Sequence, residues 1–295
     1  MTSVAVIAHA AKELGGGLPE LRKTLATYGI SDPLWREVPK SKYVPNGVEE
    51  LLEAGTDLLF VWGGDGTVQR AIDAVGGRPV TLAILPAGTA NLLATNLGLP
   101  KDLEACVRIG LHGARRALDV GKVNGERFAV MAGAGLDAMM IRDADGGLKD
   151  RVGRIAYVWT GAKSVQLDAV RMRIEVDGDP WFDDKASCVL VGNVGDVLGG
   201  LSVFPEAEPD DGRLDIGVVT ADGWWEWART LGRSVIGDVS ASPFVRTTTG
   251  RSFKVRLDKP LPYELDGGDR EPTKKLKISV RPGAITVAVP EEAGR

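Results

Sequence analysis

The sequence predicts two halves of different architecture: an α/β N-terminal domain on a parallel sheet, residues 1–120, and a mostly antiparallel β-rich domain, residues 121–295. Three observations lead there. Short apolar runs alternate with helix-like segments through the first half, the pattern of successive βαβ units. Beyond about Asp119 the hydrophobic period falls to two, the period of a half-buried strand. Glycine accounts for 38 of 295 residues, well above the usual share and without a G-X-Y repeat, so tight turns are numerous.

In order along the first half, residues 4–8 (VAVIA) read as a buried strand, 18–27 as a helix and 48–54 as another. A second buried strand covers 58–62 with helix 67–75 behind it, a third covers 81–85, and helices follow over 90–96 and 103–111. In the second half RMRIEV (171–176) alternates cleanly and meets Asp177-Gly178. That dipeptide suits a two-residue hairpin turn, where both residues need positive φ. Residues 253–257 and 276–280 alternate in the same way, 186–191, 214–219 and 284–289 are further strands, and helices are expected only over 153–165 and 224–236.

Composition narrows the function. Lys and Arg number 36 against 40 Asp and Glu, a net charge of −4, which lacks the basic surplus of a nucleic-acid binder. Cys106, Cys188, His9 and His112 are the only cysteines and histidines, too few for a four-cysteine zinc site or a framework of several disulfides. The N-terminus lacks the basic-then-apolar pattern of a secretion signal, and no run of 18 apolar residues occurs. A cytoplasmic location is expected.

The chemistry concentrates in Gly63-Gly64-Asp65-Gly66-Thr67, between a buried strand and a helix. Glycines there permit close backbone approach, and the helix start aims N–H groups and a positive dipole end at an anion. Such a loop is a phosphate cradle, and its ordinary alternative is a tight βα turn. The acidic residue within it favours the cradle, because a carboxylate facing phosphate is repulsive unless it holds Mg²⁺ or takes a proton. It is neither a Walker A loop nor a dinucleotide fingerprint, since no Gly-Lys-Ser/Thr follows and Gln69 stands where the last Gly would be. A second loop, Pro86-Ala87-Gly88-Thr89-Ala90-Asn91, also follows an apolar strand and opens a helix. Two such loops on adjacent parallel strands share the carboxyl edge of the sheet, where open α/β folds bind ligands.

These residues resemble the catalytic domain of the diacylglycerol kinase and sphingosine kinase family, in its soluble bacterial branch. Further along, Gly133-Ala-Gly-Leu-Asp137 with Leu148, Lys149 and Gly153 is similar to the start of the family's second domain. Residues 209–215 (PDDGRLD) resemble its acidic turn and Leu265-Asp266-Gly267 its late catalytic turn. The resemblance implies an α/β domain of the NAD kinase/diacylglycerol kinase type over 1–120. It also implies a β-sandwich domain over 121–295 for the lipid acceptor, its last segment packing back on the first domain. ATP would lie in the cleft, with a lipid hydroxyl, most simply that of diacylglycerol, as acceptor at a membrane surface on the inner face. No nucleic-acid partner is expected, and a homodimer is an open alternative.

Residue by residue, the resemblance places Gly63, Gly64, Gly66 and Thr67 with Gly88, Thr89 and Asn91 at the ATP phosphates. His9-Ala10 stands where the family has Asn-Pro, leaving His9 as a hydrogen-bond donor there. Asp211, with the backbone carbonyls of Glu208 and Arg213, resembles a structural Mg²⁺ site, whose alternative is a plain hairpin turn. Where the family reads Asp-Gly-Glu, the Glu being a candidate base, this chain reads Asp266-Gly267-Gly268 and then Asp269. Either Asp269 substitutes or Asp65 takes the proton with Asp266 as helper, and Asp65 is favoured for its place in the phosphate loop. Because Asn is nearly isosteric, Asp65→Asn is expected to keep the loop's shape.

Two other functions compete: a small-molecule kinase of the NAD kinase or phosphofructokinase kind, which shares the Gly-Gly-Asp-Gly loop, and a catalytically silent lipid- or nucleotide-binding homologue. Trp224-Trp225-Glu226-Trp227 is either core packing or an interfacial belt. Lys274, Lys275 and Lys277 read as a solvated strand face, and Cys188 as a buried small hydrophobe.

Overall fold

The computed structural model describes residues 3–135, 169–196, 203–220 and 244–291. They fall into two compact units, one drawn from within 1–130, 208–212 and 280–295, the other from within 131–207 and 213–279. The first contains β1 (Val4–His9), α1 (Gly17–Thr27), β2 (Leu34–Val38), α2 (Val44–Glu53), β3 (Leu58–Gly63), α3 (Asp65–Val75) and β4 (Thr81–Pro86). It continues with α4 (Leu92–Asn96), α5 (Leu103–His112), β5 (Ala114–Val123) and β6 (Glu126–Phe128). The second contains β7 (Met131–Ala134), β8 (Val170–Val176), β9 (Asp179–Ala186), β10 (Cys188–Gly192), β11 (Leu214–Val219), β12 (Val245–Gly250) and β13 (Ser252–Leu265). Strand β14 (Gly268–Val289) begins in the second unit and belongs to the first from Val280 onward.

In the first unit the strands run in the order β2-β1-β3-β4-β14, all parallel. Every residue of β3 is buried, which explains why it reads as a continuous apolar run without alternation. One sheet face sets Val6, Phe60 and Trp62 against Leu21 and Leu25 of α1 and Cys106 and Val107 of α5. Gly110 permits that packing, since a Cβ there would run into the Phe60 ring. Two helix ends are closed locally. The Asp102 side chain accepts from Ala105 N at 2.8 Å to start α5, and Gly76, at φ 62°, closes α3. Strand β2 was not expected: in Leu34–Val38 only Val38 is buried, so an edge strand leaves almost no hydrophobic period to read.

The second unit is antiparallel, β12-β11-β10-β7-β13-β14 with β8 and β9 added through β13. Asp177 (φ 51°) and Gly178 (φ 100°) form the expected turn between β8 and β9. The run expected over 186–191 is divided at Ser187 into the end of β9 and β10. Strands β13 and β14 extend far beyond their alternating cores, with register shifts between Arg256 and Tyr263, where Pro260 and Pro262 cannot donate to a ladder. The helices expected over 153–165 and 224–236, including Trp224 to Trp227, lie outside the described residues, as do Asp137, Leu148, Lys149 and Gly153. Among the described residues no helix is long and apolar enough to cross a membrane.

Asp119 on β5 was not singled out from the sequence. Its carboxylate is 2% exposed and accepts from Gly212 N at 2.6 Å and Gly283 N at 2.7 Å, while its own N–H donates to Pro209 O at 2.7 Å. One side chain thereby ties the acidic turn and β14 to β5. Asp119→Ala would strand two inward-facing N–H groups, and urea titration should show a loss of about 2–4 kcal/mol of stability.

Candidate functional site

The sequence-predicted site residues of the first unit gather at the carboxyl edge of the parallel sheet. Gly63 ends β3, and a Cβ there would collide with the Thr67 side chain. Gly64, extended at φ −95° and ψ −173°, is the N-cap of α3. Its carbonyl accepts from Thr67 N at 2.9 Å and Val68 N at 3.1 Å, which closes the first turn. Gly66 has open space where a side chain would stand, so the start of α3 is approachable along its backbone. The Thr67 hydroxyl lies 3.2 Å from that of Ser41, in a short turn after β2.

The second loop is locked onto the first. Ala87 N donates to Gly63 O at 3.0 Å, and Gly88 packs so closely on Gly64 that a Cβ at Gly88 would strike the Gly64 Cα. Asn91 is left-handed at φ 51° and turns its amide back into its own loop. Its Oδ1 accepts from Gly88 N at 2.9 Å, and its Nδ2 donates to Gly88 O at 2.7 Å and Pro86 O at 3.2 Å. Asn91 therefore organises the loop, and its amide groups are spent there, where the resemblance had put them on phosphate. Thr89 is exposed at the loop's crest.

Because Asn91 does not cap α4 with its side chain, another group does. Asp65 Oδ2 accepts from Asn91 N at 2.9 Å and Oδ1 from Leu92 N at 2.6 Å. The carboxylate of the first loop is thus the helix cap of the second. Burial raises its pKa above the ordinary aspartate value, and the N–H donors of Leu92 and Asn91 offset part of that rise. These two bonds also change the expectation for Asp65→Asn. An amide has one oxygen where the carboxylate has two, so it would keep one of these two bonds and turn its NH₂ toward the other N–H; the substitution is isosteric but would break half of the bridge.

His9 ends β1 at the same edge, is 9% exposed, and accepts from Ala11 N through Nδ1 at 3.3 Å. In the neutral ring this contact assigns the hydrogen to Nε2. Burial, and secondarily Lys12, lower its pKa, so the ring is neutral at pH 7. Trp62 Nε1 donates to Lys12 O at 3.0 Å and fixes the chain beyond His9.

With this geometry in view, comparison with known proteins is decisive. A family model described as the diacylglycerol kinase catalytic domain matches residues 18–123, and one described as the YegS C-terminal NAD kinase beta sandwich-like domain matches residues 130–289. The chain belongs to this family of lipid kinases. A Pseudomonas aeruginosa protein named "Probable lipid kinase YegS-like" is 33% identical over 247 residues, covering 82% of this chain and 80% of that one. The Bacillus subtilis protein named diacylglycerol kinase is 28% identical over 216 residues, 72% of this chain and 71% of its own. The crystal structure of a diacylglycerol kinase from Bacillus anthracis aligns with a TM-score of 0.78 at 25% identity, over 97% of this chain and 96% of that one. An NAD kinase from Archaeoglobus fulgidus, solved with ATP, aligns at TM-score 0.58 and 11% identity over 99% and 96%; this second likeness concerns the fold alone.

The other segments singled out from the sequence are the hairpin at Asp266, in the β-rich unit, and the acidic turn, in the first unit. Asp266 (φ 46°) and Gly267 (φ 78°) form a two-residue hairpin between β13 and β14, with Leu265 opposite Gly268. Asp266 is 3% exposed; its Oδ1 accepts from Met131 N at 2.8 Å, and its N donates to Met131 O at 2.9 Å. That side chain holds β7 to the turn. Asp269 lies on the exposed start of β14 opposite Glu264.

In the acidic turn Asp210 Oδ2 takes Arg116 Nε at 2.7 Å, and Arg213 Nε donates to Thr249 Oγ1 at 2.6 Å. Asp211 is exposed. Among the described residues no group of three or more His, Cys, Asp or Glu side chains is placed to hold a metal. Cys188 is buried with its thiol pushed up to about 12, an inert packing residue.

Asn91→Ala should remove three hydrogen bonds and leave alanine in a left-handed backbone. Equilibrium titration with an ATP analogue should show affinity lowered by about tenfold or more.

Proposed function

We propose that this chain transfers the γ-phosphoryl group of ATP to a lipid hydroxyl, with diacylglycerol as acceptor and phosphatidic acid as product, as the names of its relatives suggest. The observation that carries this reading is the Asp65 bridge, which makes one unit of two glycine-rich loops at the sheet's carboxyl edge. The N–H groups opening α3, the backbone of Gly88 and Thr89, the Thr67 hydroxyl and His9 Nε2–H are the donors assigned to the phosphates. Their fixed positions supply most of the catalysis open to a protein in phosphoryl transfer, which depends on positioning and on charge stabilisation.

Asp65 is assigned the acceptor's proton. A carboxylate offers about four lone-pair sites; the backbone N–H groups of Leu92, Asn91 and Asp65 itself act on it, which leaves capacity for a proton, and the pKa raised by burial makes it a stronger base than a solvated aspartate. Asp266, engaged with Met131, is assigned a positioning role, and Asp269 is the alternative base. Mg²⁺, when bound, would neutralise charge on the transferring phosphoryl group; Asp65 would hold it at the cradle if the proton goes instead to Asp269, and Asp211, with the carbonyls of Glu208 and Arg213, is assigned a structural ion. A cytoplasmic protein working at the inner membrane face fits this chemistry.

Labelled ATP and Mg²⁺ with a panel of hydroxylated lipids in mixed micelles tests the reading. Label on diacylglycerol is expected; label on NAD with none on any lipid would replace it with the small-molecule alternative. Excess chelator should abolish turnover. Asp65→Asn should lower kcat by about 10²-fold and also raise KM for ATP, through the lost second N–H. A base must be unprotonated to act, so kcat/KM should fall with decreasing pH through a pKa above the ordinary aspartate value. That limb should vanish in Asp65→Asn, and its persistence there together with its loss in Asp269→Asn would reassign the base.

A further inference from the structure

The outward face of β13 and β14 carries charge that the kinase reading does not use. Lys254 stands directly opposite Lys277, and Arg256 directly opposite Lys275. Arg256 also faces Arg173 on β8. The opposite face buries Phe253, Val255, Leu276 and Ile278, so the strand pleat sends all four cations of the β13–β14 block to one exposed side. Directly opposed residues stand about 5 Å apart and alternate residues on one strand about 7 Å apart. Glu175 contacts Lys254 at 2.9 Å and Arg256 at 4.0 Å and its charge also acts on Lys275, and Asp258 lies 3.7 Å from Arg173. Like charges in direct cross-strand register destabilise a sheet, and this concentration occurs on a chain of net charge −4.

We propose that Lys254, Arg256, Lys275 and Lys277 form a docking surface for an anionic phospholipid bilayer. This rests on the reading that the acceptor is a membrane lipid. A net-negative protein is repelled by an anionic membrane in most orientations, and a local basic face is what allows it to approach in one. The quartet is flat, its side chains are long, and no aromatic residue stands at these paired positions to stack a nucleic-acid base.

The test measures co-sedimentation of the full chain with vesicles of phosphatidylcholine alone and of phosphatidylcholine mixed with phosphatidylglycerol. Binding to the mixed vesicles alone is expected, weakening as salt is added. The variant Arg256→Gln/Lys275→Gln/Lys277→Gln should bind them about 10²-fold more weakly, whereas Arg256→Lys/Lys275→Arg/Lys277→Arg should bind as wild type. Thermal melts check that both are folded. Equal binding by the wild type and the Gln variant, or wild-type affinity for duplex DNA without affinity for vesicles, overturns the proposal. Phosphorylation of a short-chain diacylglycerol dispersed as monomers should be equal in wild type and Gln variant. If the wild type phosphorylates no lipid in that form, the kinase reading fails, while the vesicle measurement still decides the surface.

Discussion

The site depends on one carboxylate that serves two loops. Asp65 belongs by sequence to the turn after β3, yet its oxygens receive the N–H groups of Asn91 and Leu92, beyond β4. A helix of five residues, such as α4, is too short to persist on its own propensity, and its leading N–H groups need acceptors. Asp65 supplies them, and in doing so fixes where the second loop lies relative to the first. Asn91 completes the lock by spending its amide inside its own loop.

Everything beneath this bridge serves to hold it still. The strands that end at His9, Gly63 and Pro86 are parallel neighbours or next neighbours with fixed register, and their interiors are fully buried between helices. Gly64 and Gly88 are in backbone contact because neither has a side chain. Burial raises the Asp65 pKa while the anchoring N–H groups of Leu92 and Asn91 lower it, so anchoring and basicity are set against each other at one carboxylate. Elsewhere acids do related work without an assigned proton transfer: Asp119 and Asp266 each join distant segments by accepting backbone N–H groups.

Much of this was legible in the sequence where a local rule sufficed. Apolar runs of strand length located β1, β3 and β4, glycines at strand ends marked both loops, and Asp-Gly located the β8–β9 hairpin. What escaped were features fixed by tertiary partners. Leu34–Val38 gains its strand from β1, because its own residues are mostly exposed. Ser41 reaches Thr67 only through the path of the chain after β2. The buried role of Asp119 gave no local signal, since an aspartate in an alternating segment reads as solvent-facing. Asn91 was read as a phosphate contact because its loop was, but its left-handed backbone and inward amide emerge only once the loop is folded.

Residue-resolved amide hydrogen exchange, with and without Mg²⁺ and ATP, tests the interlocked loops as the phosphate-binding element most directly. The expected result is slow exchange at Asn91 and Leu92 in the free protein, with new protection at Gly64, Gly66, Gly88 and Thr89 when nucleotide binds. Nucleotide binding that leaves those amides unchanged and protects other segments would contradict it.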